Sequence, residues 1–378
     1  MRVFKSSFWE AVGLIGGMII GSGMFALPYA ISVSGFWSSL AAAVLALFAV
    51  LSVHLAYGEI ISNTSGSHRL PGYARIYLGN WAGHFEKFTG IFGFSAALLI
   101  YGALGGSFLS MLFGFSPLFW TVVFFAAGGV ILLSWNIENI GFLNLVLTIF
   151  LILAILVISG LAAKSGFGKN DVIFLGSDPF FVFGIFLFSL TGLSVIADAR
   201  NLFPGKKDGL FKKAILLGTV VPAALYLIFI VSVLMASGMP SIESLAGLAS
   251  QMGGAWVISL GAFIGVLAMF TSYLALGFDL KEIYRLDIGM KELMAWLFTV
   301  LVPLAVFLLG ADDFVKLISI VGGLFIAFDG LFVIFILRSL RKRFGRTERF
   351  LSFGLVSQIL LSIIFGASII YELLYQVF

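Results

Sequence analysis

The residues best suited to binding chemistry lie in the first apolar stretch of the chain, where residues 16–28 read GGMIIGSGMFALP. This run places four glycines within eight positions and a proline five residues after the last of them. Each glycine destabilises a helix interior by up to about 1 kcal/mol relative to alanine. Small residues also allow close helix packing in membranes, so packing is one explanation. The other is an unwound, ligand-lining segment, which presents free N–H groups on one side and free carbonyls on the other. Both poles of a zwitterion could then be bound without a charged side chain.

A second polar interruption lies in the sixth apolar stretch, where residues 181–198 read FVFGIFLFSLTGLSVIAD. An amino acid ammonium could donate to carbonyls near Phe188, Ser189 and Thr191. Its carboxylate could accept from the N–H groups of Ser22 and Gly23. Serine and threonine in membrane helices also bond to their own helix, so the hydroxyls alone decide little. The matching position of the two interruptions is what favours a shared site.

Two adjacent hydroxyls, Thr271 and Ser272, lie in the eighth apolar stretch. Oxygen ligands suit a hard cation such as sodium. Bonding of these hydroxyls to the preceding helical turn is the alternative.

Four ionisable residues fall within apolar stretches: His54, Glu59, Asp198 and Asp329. Such groups cost about 2.5 to 3.5 kcal/mol each on insertion scales and are candidates for function. They could pair with arginines at the inner rim, or serve in proton coupling or as an inner gate. The sequence leaves both interpretations open.

The overall composition places these residues in a membrane. The chain has 378 residues, of which 61% are hydrophobic, 16% aromatic and only 11% charged, against about 25% charged in soluble domains. The absence of cysteine excludes a disulfide scaffold, a cysteine nucleophile and a thiolate metal site. The net charge of +4 comes from loop lysines and arginines and does not imply a nucleic acid partner.

A membrane-spanning helix needs about 20 apolar residues, and eleven such stretches can be found. They cover residues 8–32, 36–61, 86–113, 117–135, 140–163, 179–203, 213–237, 255–279, 290–309, 314–337 and 351–376. The first is longer than a signal-peptide core and lacks a convincing cleavage site, so we expect it to be retained. The sequence thus predicts an all-α integral membrane protein with eleven transmembrane helices.

The distribution of basic residues predicts the orientation. With a cytoplasmic N-terminus, 19 of the 22 lysines and arginines lie on the cytoplasmic side, and only Lys164, Lys169 and Lys316 lie outside. We expect a multi-pass protein of the cell membrane, with the N-terminus cytoplasmic and the C-terminus outside.

The first five spans (residues 1–164) and the next five (residues 165–338) have similar lengths, and residues 339–378 add a basic loop and an eleventh helix. Because five is odd, the two halves are inverted relative to each other. Inverted repeats of this kind are typical of secondary transporters, whose sites lie at the midplane where the first helix of each half is interrupted. The interruptions in the first and sixth spans match that expectation.

Residues 21–28 (GSGMFALP) resemble the amino acid–polyamine–organocation superfamily, whose first helix carries a Gly-Ser-Gly-hydrophobic-Phe-x-x-Pro break. Residues 186–198 (FLFSLTGLSVIAD) are similar to the sixth helix of the aromatic and neutral amino acid permeases within the amino acid/auxin permease group. Residues 271–279 (TSYLALGFD) are similar to their eighth helix. The likeness extends over the whole chain.

The resemblance implies a leucine-transporter-like fold with broken helices 1 and 6, and symport of an amino acid by alternating access. The substrate residues that it implies are Gly21, Ser22 and Gly23 for the carboxylate, Phe188, Ser189, Thr191 and Gly192 for the ammonium and side chain, and Tyr101 facing the site. The sodium ligands that it implies are the carbonyls of Gly17 and Ile20 and the hydroxyls of Thr271 and Ser272. Apart from bound Na⁺, no cofactor is implied.

Two features depart from the family pattern. Ala197-Asp198 stands where these permeases usually carry Pro-Glu. The fifth span lacks the mid-span lysine of some proton-coupled relatives, since its only lysine, Lys164, falls at the outer end. We therefore favour Na⁺ over H⁺ as the coupling ion, although the aromatic permeases of this group are commonly described as proton-coupled.

The sequence thus predicts a secondary active transporter that imports a neutral amino acid, with an aromatic one as an option. Its expected partners are this substrate and membrane lipid, with no obligatory protein partner evident. Residues 241–254 would cap the outer vestibule. The main alternative is a channel or ion-only carrier. An enzyme is disfavoured because no metal-spaced histidine pair or catalytic constellation is found, and a structural scaffold is the last alternative.

Overall fold

The computed structural model describes residues 3–66, 68–134, 137–166, 176–203, 205, 207–237, 240, 241, 244, 255–310, 313–344, 350 and 354–377. Among these, all regular structure is helical. Most of the predicted cap (residues 241–254) and Lys169 lie outside the described residues.

In the first half of the chain, the described residues form seven helices. They are α1 (Val3–Ile19), α2 (Gly23–Ser34), α3 (Phe36–Asn63), α4 (Leu70–Leu78), α5 (Asn80–Phe113), α6 (Pro117–Ser134) and α7 (Ile137–Gly166). The second half contributes α8 (Pro179–Leu190), α9 (Leu193–Asn201), α10 (Asp208–Ser237), α11 (Ala255–Glu282), α12 (Glu292–Leu308), α13 (Phe314–Ile320), α14 (Ala327–Phe344) and α15 (Leu355–Glu372). π-Helical turns at Ile283–Asp287, Val321–Ile326 and Leu373–Val377 follow α11, α13 and α15.

These helices match the predicted spans in order. Among the described residues, eight helical segments are long and apolar enough to cross a membrane, and the bent pair Ser7–Ile19 and Gly23–Ser34 makes a ninth. The apolar segment Leu145–Leu161 within α7 and the helix α12 (Glu292–Leu308) stand where the fifth and ninth spans are predicted. Helices suit this environment because every backbone polar group in lipid must be satisfied within its own segment.

Both predicted interruptions are present. Between α1 and α2 the helix breaks at residues 20–22, and the two segments differ in direction by 45°. Between α8 and α9 it breaks at Thr191 and Gly192. Helix α1 packs against α7, α9, α10 and α11, while α8 packs against α2, α3 and the π-helical turn after α13. The broken spans are therefore surrounded by the other helices.

Some boundaries differ from the sequence prediction. The third span starts at Asn80 rather than at residue 86, and the polar segment before it contains the short helix α4. Helix α11 continues three residues past the predicted end at residue 279, through Lys281. The Lys281 ammonium donates to the Leu132 carbonyl at 2.7 Å, so a protein partner compensates its burial. Apolar composition alone could not have located these polar helix ends.

Candidate functional site

One tyrosine joins the two breaks. The hydroxyl of Tyr226, on α10, lies against the carbonyl oxygen of Ile19 and is 3.2 Å from that of Ser189, so it can donate to either. It also accepts from the N–H of Gly21 at 3.4 Å. Tyr226 is 1% exposed. Tyr226 was not predicted from the sequence, where its only signal is a polar hydroxyl in the middle of an apolar span.

The two breaks are in direct contact at Gly23. A Cβ atom added at Gly23 would lie 2.0 Å from the Ser189 hydroxyl and 2.7 Å from the Ser189 Cα. The Ser189 hydroxyl itself donates to the Ile185 carbonyl at 2.6 Å. The start of α2 and the end of α8 therefore meet with no room for a side chain between them.

The remaining residues of the first break are also enclosed. Ser22 is fully buried, and its hydroxyl has no hydrogen-bond partner among the described residues. A Cβ atom added at Gly21 would lie 2.8 Å from the Ser272 hydroxyl and 3.5 Å from the Tyr101 ring. The structure thus brings the predicted carboxylate-binding residues next to the predicted sodium ligands.

An aromatic cavity of about 50 Å³ adjoins the breaks. The rings of Tyr101 and Phe188 line it with centroids 6.1 Å apart, and Thr191 lines it at the second break. It continues along α5 past Gly93, Glu86 and other residues toward Arg69. Of the predicted substrate residues, Gly192 instead faces α1, where an added Cβ would lie 3.1 Å from the Ile19 side chain.

The predicted sodium ligands converge on α1. The Ser272 hydroxyl lies 3.4 Å from the Gly17 carbonyl and 3.2 Å from the Met18 carbonyl. The Thr271 hydroxyl lies 3.5 Å from the Gly17 carbonyl and donates to the Ala268 carbonyl at 3.0 Å. Ile20 is the first residue of the break and is buried.

His54 contacts the second break directly. Its Nε2 atom accepts from the N–H of Gly192 at 3.0 Å, and its Nδ1 atom lies 2.9 Å from the Thr219 hydroxyl. Because Nε2 is an acceptor here, the ring proton lies on Nδ1 and is donated to Thr219. A side chain of α3 thereby accepts a hydrogen bond from a backbone N–H group that has no helical partner because of the break.

Glu59 and Asp198 each bind an arginine. Arg341 donates to both oxygens of Glu59, at 2.7 and 2.8 Å. Arg69 donates to both oxygens of Asp198, at 2.8 and 2.7 Å, and its Nε lies 3.0 Å from Asp279. Arg69 precedes α4, Asp198 is on α9 and Asp279 is on α11, so this cluster joins three segments. We call the end of the bundle that carries Arg69 and Arg341 the basic end.

The fourth predicted ionisable residue, Asp329 on α14, lies within hydrogen-bonding reach of Glu86 on α5. Both residues line the cavity. Glu86 was not predicted as a functional residue, because the predicted third span begins there and places it at the edge of a loop. Its structural position is six residues inside α5.

A family model described as the tryptophan/tyrosine permease family matches residues 4–372. A search of curated protein sequences gives no significant match. The fold is similar to MhsT in complex with L-phenylalanine, with a TM-score of 0.72 and 15% identity over 97% of each chain. It is also similar to Mhp1, a nucleobase-cation-symport-1 family transporter in a closed conformation with bromovinylhydantoin bound. That match has a TM-score of 0.65 and 15% identity over 98% of this chain and 91% of the other.

These similarities confirm the leucine-transporter-like fold with its 5+5 inverted repeat. They also confirm that the protein is a transporter and not an enzyme. The described helices together with the family model make it a multi-pass membrane protein whose substrates are amino acids. Because the family model matches nearly the entire sequence, the chain belongs to the tryptophan/tyrosine permease family.

Proposed function

We propose that this protein imports an aromatic amino acid across the cell membrane by cation-coupled alternating access. The observation that carries the proposal is the direct contact between the two broken spans, at Gly23 and Ser189, beside an aromatic cavity.

The ends of the half-helices suit the two charges of an amino acid. Helix α2 begins at Gly23, so its positive dipole end and free N–H groups favour a carboxylate there. Helix α8 ends at Leu190, so its last carbonyls favour an ammonium group. Since these two ends are in contact, one small zwitterion could bind both. No charged side chain is required.

The lining of the cavity suits an aromatic side chain by its chemistry, and the volume of about 50 Å³ would have to grow to hold one, since a cavity that binds benzene has about 150 Å³. Phe94, Tyr101, Phe188 and Phe325 supply ring faces and edges, and Gly93 lets the Phe325 side chain pack closely on α5. Aromatic rings favour offset or edge-to-face contacts of this kind. The family name and the L-phenylalanine bound to MhsT support the same substrate class.

Sodium is the coupling ion that the chain's oxygen atoms favour. The distances of 3.2 to 3.5 Å from the Thr271 and Ser272 hydroxyls to carbonyls of α1 exceed the usual O–H···O distance of about 2.7 to 2.8 Å. Oxygens arranged around an ion are expected to stand apart in this way. Gly17, Ile20, Thr271 and Ser272 would hold Na⁺ there, tying α1 to α11.

Closure at the basic end would come from the cluster of Arg69, Asp198 and Asp279, which joins α4, α9 and α11. We place this end in the cytoplasm, with the N-terminus, and the C-terminus outside. On the opposite side, the Ser244 hydroxyl donates to the Phe25 carbonyl at 2.7 Å, so this residue of the predicted cap contacts α2.

Uptake by proteoliposomes tests the proposal. Labelled tryptophan, tyrosine, phenylalanine and leucine would be offered under an inward sodium gradient and, separately, under a proton gradient. We expect sodium-driven uptake of the aromatic substrates, and its loss in Thr271→Ala/Ser272→Ala. Ser232→Ala is the matched control, since that hydroxyl donates within its own helix at 2.7 Å. Uptake driven only by protons would refute the sodium site, and ion conductance without amino acid uptake would refute the transporter.

A further inference from the structure

Glu86 and Asp329 form a pair of buried carboxyl groups that the substrate and sodium sites do not use. Glu86 is 1% exposed and Asp329 is 6% exposed. They come from different helices, α5 and α14, and their side chains are within hydrogen-bonding reach of each other. Two carboxylates of like charge repel each other, and a hydrogen bond between them requires a proton on one.

No cation is available to neutralise this pair among the described residues. Arg69 is bound to Asp198 and Asp279, and Lys87, next to Glu86 in sequence, donates to the Asp287 carbonyl at 2.6 Å. The Oε2 atom of Glu86 is buried and receives no hydrogen bond from a described N–H or O–H group. A buried carboxylate oxygen without a donor is costly. A bound proton would both remove the repulsion between the two carboxylates and supply the missing hydrogen-bond donor.

The pair lies too far from the breaks to bind the substrate's ammonium group there. Glu86 and Tyr101 both lie on α5, fifteen residues apart, which is about 22 Å along the helix axis. Glu86 and Asp329 nevertheless line the same cavity as Tyr101, toward the basic end. Water that enters the cavity from that end would reach the carboxyls before the substrate.

The helix that carries Asp329 follows a π-helical turn, at which the helix can bend. The π-helical turn Val321–Ile326 directly precedes α14, and such turns are sites where helices bend. Beside the carboxyl pair, the Phe85 ring packs on Phe328 and Phe332 with centroids 5.2 and 5.7 Å apart. A contact between α5 and α14 at this place can therefore fix the direction of α14.

We propose that Glu86 and Asp329 together bind one proton. While the basic end is closed, this proton holds α14 against α5. When the cavity opens to water at the basic end, the proton is released. Loss of the proton leaves two like charges that separate the helices. Acid therefore favours the closed basic end, and rising pH favours the open one.

Other ionisable groups face the same cavity and must be separated from this effect. They are Tyr57 on α3, Arg69 before α4, Tyr101 on α5 and Asp279 on α11, with Asp198 on α9 bound to Arg69. All of these remain in the variants below.

The absence of native cysteine allows a direct test of opening. Ala97, which lines the cavity, would be replaced in Ala97→Cys and labelled from the basic end with a membrane-impermeant maleimide across a pH series. Each rate would be divided by that of Glu292→Cys, whose native side chain is 62% exposed, to remove the pH dependence of the thiol itself. For one linked proton we expect the corrected rate to rise by up to about tenfold per pH unit.

In the Glu86→Gln/Asp329→Asn background we expect a low labelling rate that no longer depends on pH, because the amides can hydrogen-bond to each other and carry no charge. Labelling that keeps its full pH dependence in this background would refute the proposal, as would a flat profile in the parent. Thermal unfolding checks that the double variant is folded.

Infrared spectroscopy of the purified chain in lipid nanodiscs detects the protonated carboxyl group directly, without any measurement of transport. We expect a carbonyl stretch of a protonated carboxylic acid at neutral pH, lost in Glu86→Gln/Asp329→Asn and kept in Glu292→Gln. An unchanged band in the double variant would show that the pair holds no proton. The inference rests on the proposed alternating access, but this band does not require transport. Absent uptake with an intact band would therefore refute only the proposed function.

Discussion

The Nε2 atom of His54 accepts a hydrogen bond from the backbone N–H of Gly192 at 3.0 Å. Gly192 is the last residue of the break between α8 and α9, so its N–H has no partner within a helix. Helix α3 thus stabilises the unwound segment between α8 and α9. The His54 side chain acts there as a neutral hydrogen-bond acceptor and not as a charged group.

His54→Leu is expected to destabilise the protein by about 1 to 3 kcal/mol, because it leaves a buried N–H without an acceptor. His54→Gln should lose less, since its side-chain oxygen can replace Nε2. Thermal unfolding in detergent and uptake in proteoliposomes measure the two effects. Equal stability of the leucine and glutamine variants would contradict this role.

Tyr226→Phe should impair uptake while leaving the fold intact. The variant keeps the ring but removes the hydroxyl that bridges Ile19 and Ser189, which costs about 1 to 3 kcal/mol for groups left unsatisfied. Tyr273→Phe is the matched control, because the buried Tyr273 hydroxyl has no partner among the described residues. We expect initial uptake rates to fall in the first variant only, and a similar loss in both would count against a special role for Tyr226.

Gly23→Ala should abolish uptake. The added methyl group would lie 2.0 Å from the Ser189 hydroxyl and 2.7 Å from backbone, so the two breaks would have to separate. Gly160→Ala, where an added Cβ meets nothing within 4 Å, should have no such effect and should slightly stabilise α7. Substrate binding measured by scintillation proximity distinguishes the two, and retained binding in Gly23→Ala would show that the contact is dispensable.

Asp198→Ala should open the basic end. Removing one partner of a buried ion pair costs about 3 to 5 kcal/mol, and Arg69 would keep only Asp279. We expect faster maleimide labelling of Ala97→Cys from the basic end. Arg285→Gln is the control, because the Arg285 side chain is 44% exposed and its pair with Glu282 contributes under about 1 kcal/mol. Equal labelling in both variants would argue against Arg69 as a gate residue.

The breaks were predictable because their cause is local. Gly21, Ser22 and Gly23 weaken a helix wherever they occur, and the pairing of Thr271 with Ser272 is visible in sequence. The partners of the breaks were not predictable in this way. Tyr226 contacts Ile19 across 207 positions, and Arg69 contacts Asp198 across 129. Such contacts are set by the packing of whole helices, which no pattern within one span encodes.

The hydroxyl of Tyr226 carries one proton but faces two carbonyl oxygens, one from each broken span. It can therefore donate to Ile19 or to Ser189 at any moment. The Ile19 oxygen also accepts from the Gly21 N–H at 2.7 Å, so it keeps a donor in either case. A rotation about a single C–O bond exchanges the two arrangements without moving any helix. When the hydroxyl turns to Ile19, the Ser189 oxygen at the end of α8 is left without a hydrogen-bond donor from the described residues, and an incoming N–H group could take that place.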